Sequence, residues 1–326
     1  MRAIVCEHFG TPDVVVLKDM PVPEPGCGEV RIRAHAAAVN FPDVLHIANK
    51  YQKNRQPPFI PGLEVAGVVD SVGDGVVRFR AGDRVCSSLD RGGTFAEYVI
   101  AAETRCSLLP ETVSFATAAA MPLTYGTTLH ALRDRGRLQA GETLLVLGAG
   151  GGVGTAAIDL GKRMGARVIA AASSPEKLAL ARNLGADETI DYSREDVKVR
   201  AREIAGSNGI DVIYDPVGSE LSEAAFRALG WYGRHLVIGF ARGTIPALPL
   251  NLPLLKNAEL IGVHWGTAVE QRPDLYRMVM DDVIDGVASG GLSPRISARY
   301  PLEKAADALA EVAAGRALGK VVVEIA

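Results

Sequence analysis

The apolar positions of this chain follow two rhythms, and the change comes near residue 114. Before it, short β-branched or alternating runs at 2–6, 14–17, 29–38 and 65–72 are separated by Pro/Gly clusters at 21–26 and 72–75. Gly82-Asp83 and Gly92-Gly93 then precede two further runs, at 84–85 and 94–100. Runs this short, broken this often by turn residues, predict a small antiparallel barrel. From Ser114 the texture turns to alanine-rich helix over 114–120 and 125–133, with Ser114 as N-cap and Pro122 as a break. After Gly141 strands and helices alternate. Strands are expected at 143–147, 167–172, 188–191, 211–215, 235–240 and 259–264, and helices at 152–164, 175–184, 194–204 and 219–229 follow the first four. Apolar strands each followed within a few residues by a helix predict a parallel, doubly wound sheet. The closing helix 273–287, strand 297–300, helix 305–314 and strand 320–324 stand outside that alternation and are expected to return to the first domain. The fold class is therefore α/β, with domains over 1–122 plus 266–326 and over 123–265.

The chemistry begins where the 143–147 strand empties into Gly148-Ala149-Gly150-Gly151-Gly152-Val153-Gly154, before a small-residue helix through Ala156, Ala157, Ile158 and Leu160. A dinucleotide pyrophosphate needs this order of strand, glycines and helix. The turn must be tight, the backbone must reach the phosphates without a Cβ in the way, and free N–H groups must face the anion. Gly152-Val-Gly154-Thr-Ala-Ala157 fits G-x-G-x-x-A with both flanks in place. Gly150, Gly151, Gly152, Val153 and Gly154 are the candidate phosphate-binding residues.

The next strand selects the cofactor. An acidic residue at its end would hold the ribose hydroxyls of NAD. Here Ala172 stands there, followed by Ser173, Ser174 and Lys177. A carboxylate would repel a 2′-phosphate, whereas Ser173 and Lys177 can bond one, so the expected cofactor is NADPH. Ser174 also suits an N-cap before Pro175. Tyr192, after the third strand, is placed to cover the adenine edge or the phosphate. Val217 and Phe240, at the ends of the fourth and fifth strands, would line the nicotinamide side.

Bulk properties exclude other classes. The chain has 326 residues, 48% apolar and 22% charged, which fits a soluble two-domain protein. A net charge of −3 without a basic run argues against nucleic acid. No apolar stretch is long enough to span a bilayer, and Glu7 and His8 fall where a signal peptide needs its apolar core, so a cytoplasmic enzyme without a membrane partner is expected. Cys6, Cys27, Cys86 and Cys106 form no C-x-x-C pair.

Over nearly its whole length the chain resembles the medium-chain dehydrogenase/reductase superfamily. The segments that carry the resemblance are Val39-Asn40-Phe-Pro-Asp43, Pro61-Gly-Leu-Glu-Val-Ala-Gly-Val69, Gly82-Asp-Arg-Val85, Gly93-Thr-Phe-Ala-Glu-Tyr98, 149–154, Tyr214-Asp-Pro-Val-Gly218 and Leu318-Gly-Lys-Val-Val322. The resemblance implies a GroES-like barrel plus a Rossmann domain, with catalysis in the cleft between them. Catalytic zinc needs thiolate and imidazole ligands. Where the zinc-containing members carry their first cysteine this chain has Asn40, and their Gly-His-Glu reads Gly62-Leu63-Glu64. Their third ligand would fall near Ala120 or Met121, and only Cys86 remains where the structural zinc lobe would sit, so no metal is assigned.

Asn40, Asp43, Tyr51 and Gly-x-Glu-Val-Ala-Gly match the zinc-free quinone oxidoreductases, the relatives of ζ-crystallin. That resemblance implies NADPH-dependent reduction of a quinone, an acceptor that takes hydride readily without a Lewis acid. Asn40 would bond the nicotinamide ribose or a developing oxyanion, and Tyr51 would donate a proton or hydrogen bond to the product. Thr127 matches a cofactor-contacting threonine of the group, Arg316 is placed to reach the cofactor, and Trp265 would wall the cleft. A homodimer joined at the edge strand of the Rossmann sheet, 260–264, is also implied. A 2-enoyl thioester reductase sharing Asn40 and Tyr51, acting on an enone rather than a quinone, is the alternative reading. A non-catalytic NADPH-binding protein is the third.

Overall fold

The computed structural model describes residues 1–52 and 55–325, which fall into two compact units, Met1–Gly126 with Gly266–Ala326 and Thr127–Trp265. The first unit opens with an antiparallel pair, β1 (Arg2–Cys6) and β2 (Val15–Asp19). The central strand β3 (Glu29–Val39) follows, and its first half alternates, with Val30, Ile32 and Ala34 buried while Arg33 faces outward. Helix α1 (Phe41–Ile47) leaves its end, and β4 (Glu64–Val72), β5 (Arg84–Ser88), β6 (Tyr98–Ala102), β7 (Cys106–Leu108) and helix α2 (Phe115–Ala119) complete the N-terminal part. Ser114 caps α2 by accepting the Thr117 N–H at 3.2 Å.

Next come helix α3 (Thr124–Leu129), which widens into a π-helical turn at His130–Arg135, and β8 (Thr143–Leu147). The second unit then alternates α4 (Gly152–Arg163), β9 (Arg167–Ala172), α5 (Pro175–Asn183), β10 (Glu188–Asp191), α6 (Val197–Ala205), β11 (Ile210–Asp215), α7 (Ser219–Ala228), β12 (Leu229–Val237), α8 (Asn251–Lys256) and β13 (Glu259–Gly262). All six strands are parallel, in the order β10-β9-β8-β11-β12-β13. Chain order therefore reverses between β8 and β11, and a sheet of this topology binds ligands outside the carboxyl ends of its strands at that reversal. Leu144, Leu145, Val146 and Leu147 are fully buried because helices cover both faces, and each contributes about 1.5–3 kcal/mol through burial.

The chain closes with α9 (Trp265–Gln271), α10 (Pro273–Ala288), β14 (Ile296–Pro301), α11 (Ala305–Ala313) and β15 (Lys320–Glu324). Strand β15 pairs antiparallel with the end of β3, Val321 opposite Val39 and Glu324 opposite Ala36, so the C-terminus completes the sheet β14-β15-β3-β4-β5-β7, while β6 pairs with the start of β3.

Several expected boundaries move, among them the end of β13, which stops at Gly262 rather than 264. Helix α6 begins at Val197, not 194, because the preceding turn is held by side chains: Asp191 accepts from the Ser193 N–H and hydroxyl, Glu195 accepts the Asp191 N–H, and Asp196 caps through the Val199 N–H. Leu229 starts β12 rather than ending α7, and the strand stops at Val237, where Ile238 and Gly239 turn back to donate to the Asp215 carbonyl. Phe240 therefore lies in the turn beyond the strand. The helix expected over 125–133 breaks into α3 and the π-helical turn. Helices α1, α8 and α9, each of six or seven residues, are too short to show a helical period in the sequence.

Candidate functional site

In the second unit the glycine loop sits at the carboxyl end of β8, on the reversal of the sheet. Gly148 turns the chain at φ +62, and Gly151 precedes α4 as its N-cap. A Cβ on Gly154 would lie 2.2 Å from the Gly148 carbonyl oxygen, so glycine is required for α4 to start this close to the strand. At Gly151 the nearest atom to such a Cβ, the Gly148 oxygen, is 3.6 Å away, which leaves that face of the loop open. Gly152 and Val153 are half-buried at the helix start. Lys177 lies across Gly150, its Cγ 2.4 Å from where a Cβ would stand. This cradle fits a dinucleotide pyrophosphate.

The rim beside it comes from β9, α5 and β10. Ser174 takes the N-cap of α5, leaving Ser173 as the exposed hydroxyl. Ala172 is fully buried, and its carbonyl accepts the Tyr192 N–H at 3.1 Å, which ties Tyr192 to the end of β9. The structure thus brings Gly150, Lys177, Ser173 and Tyr192 onto one edge.

At the other side of the loop, Asp215 fixes the segment after β11. Its Oδ1 accepts the N–H groups of Val217 and Gly218 at 2.9 Å each, while Oδ2 accepts from His235 Nε2 at 3.0 Å and from the Ser222 hydroxyl. Burial raises the Asp215 pKa, but His235 and the other donors outweigh it and hold the carboxyl below its ordinary value. Val217 is 2.9 Å from a Cβ built on Gly148, and Phe240 is 2.9 Å from one built on Gly218. Val217 therefore borders the glycine loop, and Phe240 packs against Gly218, next to Val217 in the chain. Thr127 is half-buried on α3, whose next residue, Thr128, shares a 2.8 Å bond with the buried Tyr214 hydroxyl. Trp265 is buried, its ring 5.7 Å from that of His130.

The first unit holds a second constellation, in which Asn40 follows β3 and caps α1. Its Nδ2 donates to Glu64 Oε1 at 2.8 Å and to the Ala38 carbonyl at 3.3 Å, and its Oδ1 accepts from Lys320 Nζ at 2.6 Å. Lys320 spends its other N–H groups on Glu64 Oε1 at 2.5 Å and the Val39 carbonyl at 3.1 Å, while Glu64 Oε2 accepts the Leu123 N–H at 2.8 Å. Lys320 can only donate and ionised Glu64 only accept, which fixes the amide orientation. Both Asn40 N–H groups are thus used within the first unit, and its Oδ1 accepts from Lys320.

Asp43 sits below, 1% exposed, with Oδ2 accepting the Asn40 backbone N–H at 2.8 Å and Oδ1 without a hydrogen-bond partner among the described residues. Burial pushes its pKa up to about 7 against the pull of the Asn40 N–H, Lys320 and Arg55. Tyr51 is half-buried, its ring 4.4 Å from that of His46. Burial, Asp90 and Asp43 raise the Tyr51 pKa, so the phenol keeps its proton, and burial with Arg55 drives His46 down to about 4. Arg316 is exposed on the turn before β15.

Glu64 and Lys320 both lie in segments that carry the resemblance, yet 256 residues separate them and nothing local pairs them. A lone lysine opening a strand of valines was the available signal. Asp215 also lies in such a segment, 214–218, whereas Ser222 and His235 had no signal.

Two family models match, the alcohol dehydrogenase GroES-like domain over residues 26–111 and the zinc-binding dehydrogenase over 152–283. The quinone oxidoreductase-like protein 2 homolog of Nematostella vectensis is 36% identical over 324 residues, 99% of this chain and 88% of that protein. A Pseudomonas aeruginosa quinone oxidoreductase is 35% identical over 316 residues, 96% of each. The chain belongs to the quinone oxidoreductases of the medium-chain dehydrogenase/reductase superfamily. Solved structures of that family superpose closely: the Pseudomonas syringae quinone oxidoreductase has a TM-score of 0.92 at 33% identity, covering 99% of both chains. The Escherichia coli quinone oxidoreductase complexed with NADPH has a TM-score of 0.92 at 25% identity, covering 99% of this chain and all of that one. The first unit is thus the GroES-like domain of a medium-chain dehydrogenase/reductase and the second its Rossmann domain. Among the described residues no group of three or more His, Cys, Asp or Glu could hold a metal ion.

Proposed function

We propose that this chain is an NADPH:quinone oxidoreductase that works without a metal. The observation that carries the reading is the state of Asn40: at the position where zinc-bearing relatives place a thiolate stands an amide locked to Glu64 and Lys320, and Leu63, preceding Glu64 in the chain, replaces an imidazole. NADPH, when bound, supplies the hydride. Gly150, Gly151, Gly152, Val153 and Gly154 cradle its pyrophosphate, Ser173, Lys177 and Tyr192 receive the adenosine end, and Val217, Phe240 and Thr127 border the nicotinamide. Asn40 accepts a bond from the ribose, and Arg316 contributes a cation to the cofactor. Tyr51, kept protonated, donates a hydrogen bond to a quinone carbonyl and so favours the charge that develops there.

A quinone needs no Lewis acid because reduction makes it aromatic, so orientation supplies most of the catalysis. The exposed Leu254 and Leu255 of α8 and Leu260 on the edge strand β13 support a homodimer joined along that edge. The test is the rate of NADPH oxidation with 1,4-naphthoquinone beside crotonyl-CoA. Turnover with the quinone alone is expected. Turnover with the thioester alone would make the chain an enoyl reductase, and turnover with neither would leave a binding protein.

A further inference from the structure

The adenosine rim of the second unit carries a cation that no glycine or phosphate motif names. Arg242 lies in the turn after β12, a turn pinned to the segment after β11 because Ala241 N–H donates to the Pro216 carbonyl at 3.0 Å and Arg242 N–H to the Val217 carbonyl at 3.1 Å. Its guanidinium lies over the Tyr192 ring, 5.5 Å from the centroid, and Nη1 donates to Glu220 Oε1 at 2.6 Å. Tyr192 is held to Ala172, the neighbour of Ser173, so the guanidinium stands above the same rim as the exposed Ser173 hydroxyl.

We infer that Arg242 is a specificity determinant for the 2′-phosphate of NADPH and that Glu220 is its latch, released when the phosphate takes Glu220's place. The inference rests on the NADPH reading above and extends it. The Arg242–Glu220 pair is exposed, 44% and 76%, and such a pair is held only weakly. A phosphate offers three acceptor oxygens and up to two negative charges to a planar donor fork, which makes it the stronger partner. Glu220 does not lose everything on release: it lies in the first turn of α7, where the helix N-terminus favours a carboxylate. The Tyr192 face holds the guanidinium on the rim in both arrangements. NADH presents a neutral hydroxyl at the same place and has nothing with which to displace a carboxylate.

Calorimetric titration of the full-length protein with NADPH and with NADH, at one salt concentration, tests this without any turnover. Arg242→Gln should weaken NADPH about 10- to 100-fold and leave NADH within about twofold. Glu220→Gln should tighten NADPH about two- to fivefold, and only while Arg242 is present, so that adding it to Arg242→Gln gains nothing. Equal losses for both nucleotides in Arg242→Gln would mean that the guanidinium packs on adenine, and would overturn the inference. So would a gain from Glu220→Gln that persists without Arg242, which is plain charge repulsion, or no gain at all. A wild-type protein that prefers NADH would instead defeat the underlying cofactor reading.

Discussion

Lys320 opens a strand of valines and spends all three of its N–H groups inside the first unit, on Glu64, Asn40 and the Val39 carbonyl. Lys320 is 4% exposed and Glu64 fully buried, so each charge depends on the other. Lys320→Met should cost about 3–5 kcal/mol in urea unfolding, because it leaves the buried Glu64 without its counter-ion, while adding Glu64→Gln, which keeps an acceptor for the Asn40 and Leu123 N–H groups, should recover part of that loss. A single variant as stable as the wild type would show that the pair carries little. The residue that tests cofactor choice is Ser173, since Ala172, where the sequence places the discriminating position, is fully buried and Ser173 is the exposed neighbour. Ser173→Asp should lower kcat/KM for NADPH relative to NADH at least about tenfold, through loss of a bond and repulsion of the phosphate. An unchanged ratio of the two values would remove Ser173 from the phosphate site.

At the scale of elements, most of the parallel sheet was legible because its strands are continuous apolar runs and its glycines sit between a strand and a helix. Strands β1, β9, β10 and β15 have the bounds expected from their sequences. What escaped was set by bonds between distant or irregular backbone: the early start of β12, the side-chain turn before α6, and α1, whose seven residues begin with Phe-Pro-Asp. The candidate site divides the same way. The glycine loop is local and readable, whereas the grip of Glu64 and Lys320 on Asn40 exists only after β15 has come back to β3.

The start of α1 also makes stability depend on pH. Unfolded, Asp43 ionises at its ordinary value of 3.8; folded, at about 7. Between those values the folded state keeps a proton that the unfolded state has released, so this residue's contribution falls as pH rises, by up to about 1.4 kcal/mol per pH unit, and levels off above 7. Asp43→Asn keeps an acceptor for the Asn40 N–H and removes the titration. Unfolding free energies at pH 5 and pH 7 should therefore drop less in the variant than in the wild type. An identical drop would mean that Asp43 does not carry it.

For the whole molecule, the exposed leucines along the edge of the Rossmann sheet predict that two copies of the chain associate. Leu254, 76% exposed on α8, is a sensitive place to ask. The wild type should sediment as a dimer and Leu254→Asp should shift it toward monomer. A wild type that is monomeric at micromolar concentration would remove the edge-strand interface. The proposed reaction passes hydride to a quinone with no metal to polarise it. The direct measurement is NADPH oxidation with 1,4-naphthoquinone by protein dialysed against a chelator, with its zinc content determined on the same sample. Undiminished turnover with far less than one zinc per chain is predicted; turnover that disappears on dialysis and returns with added zinc would contradict the account.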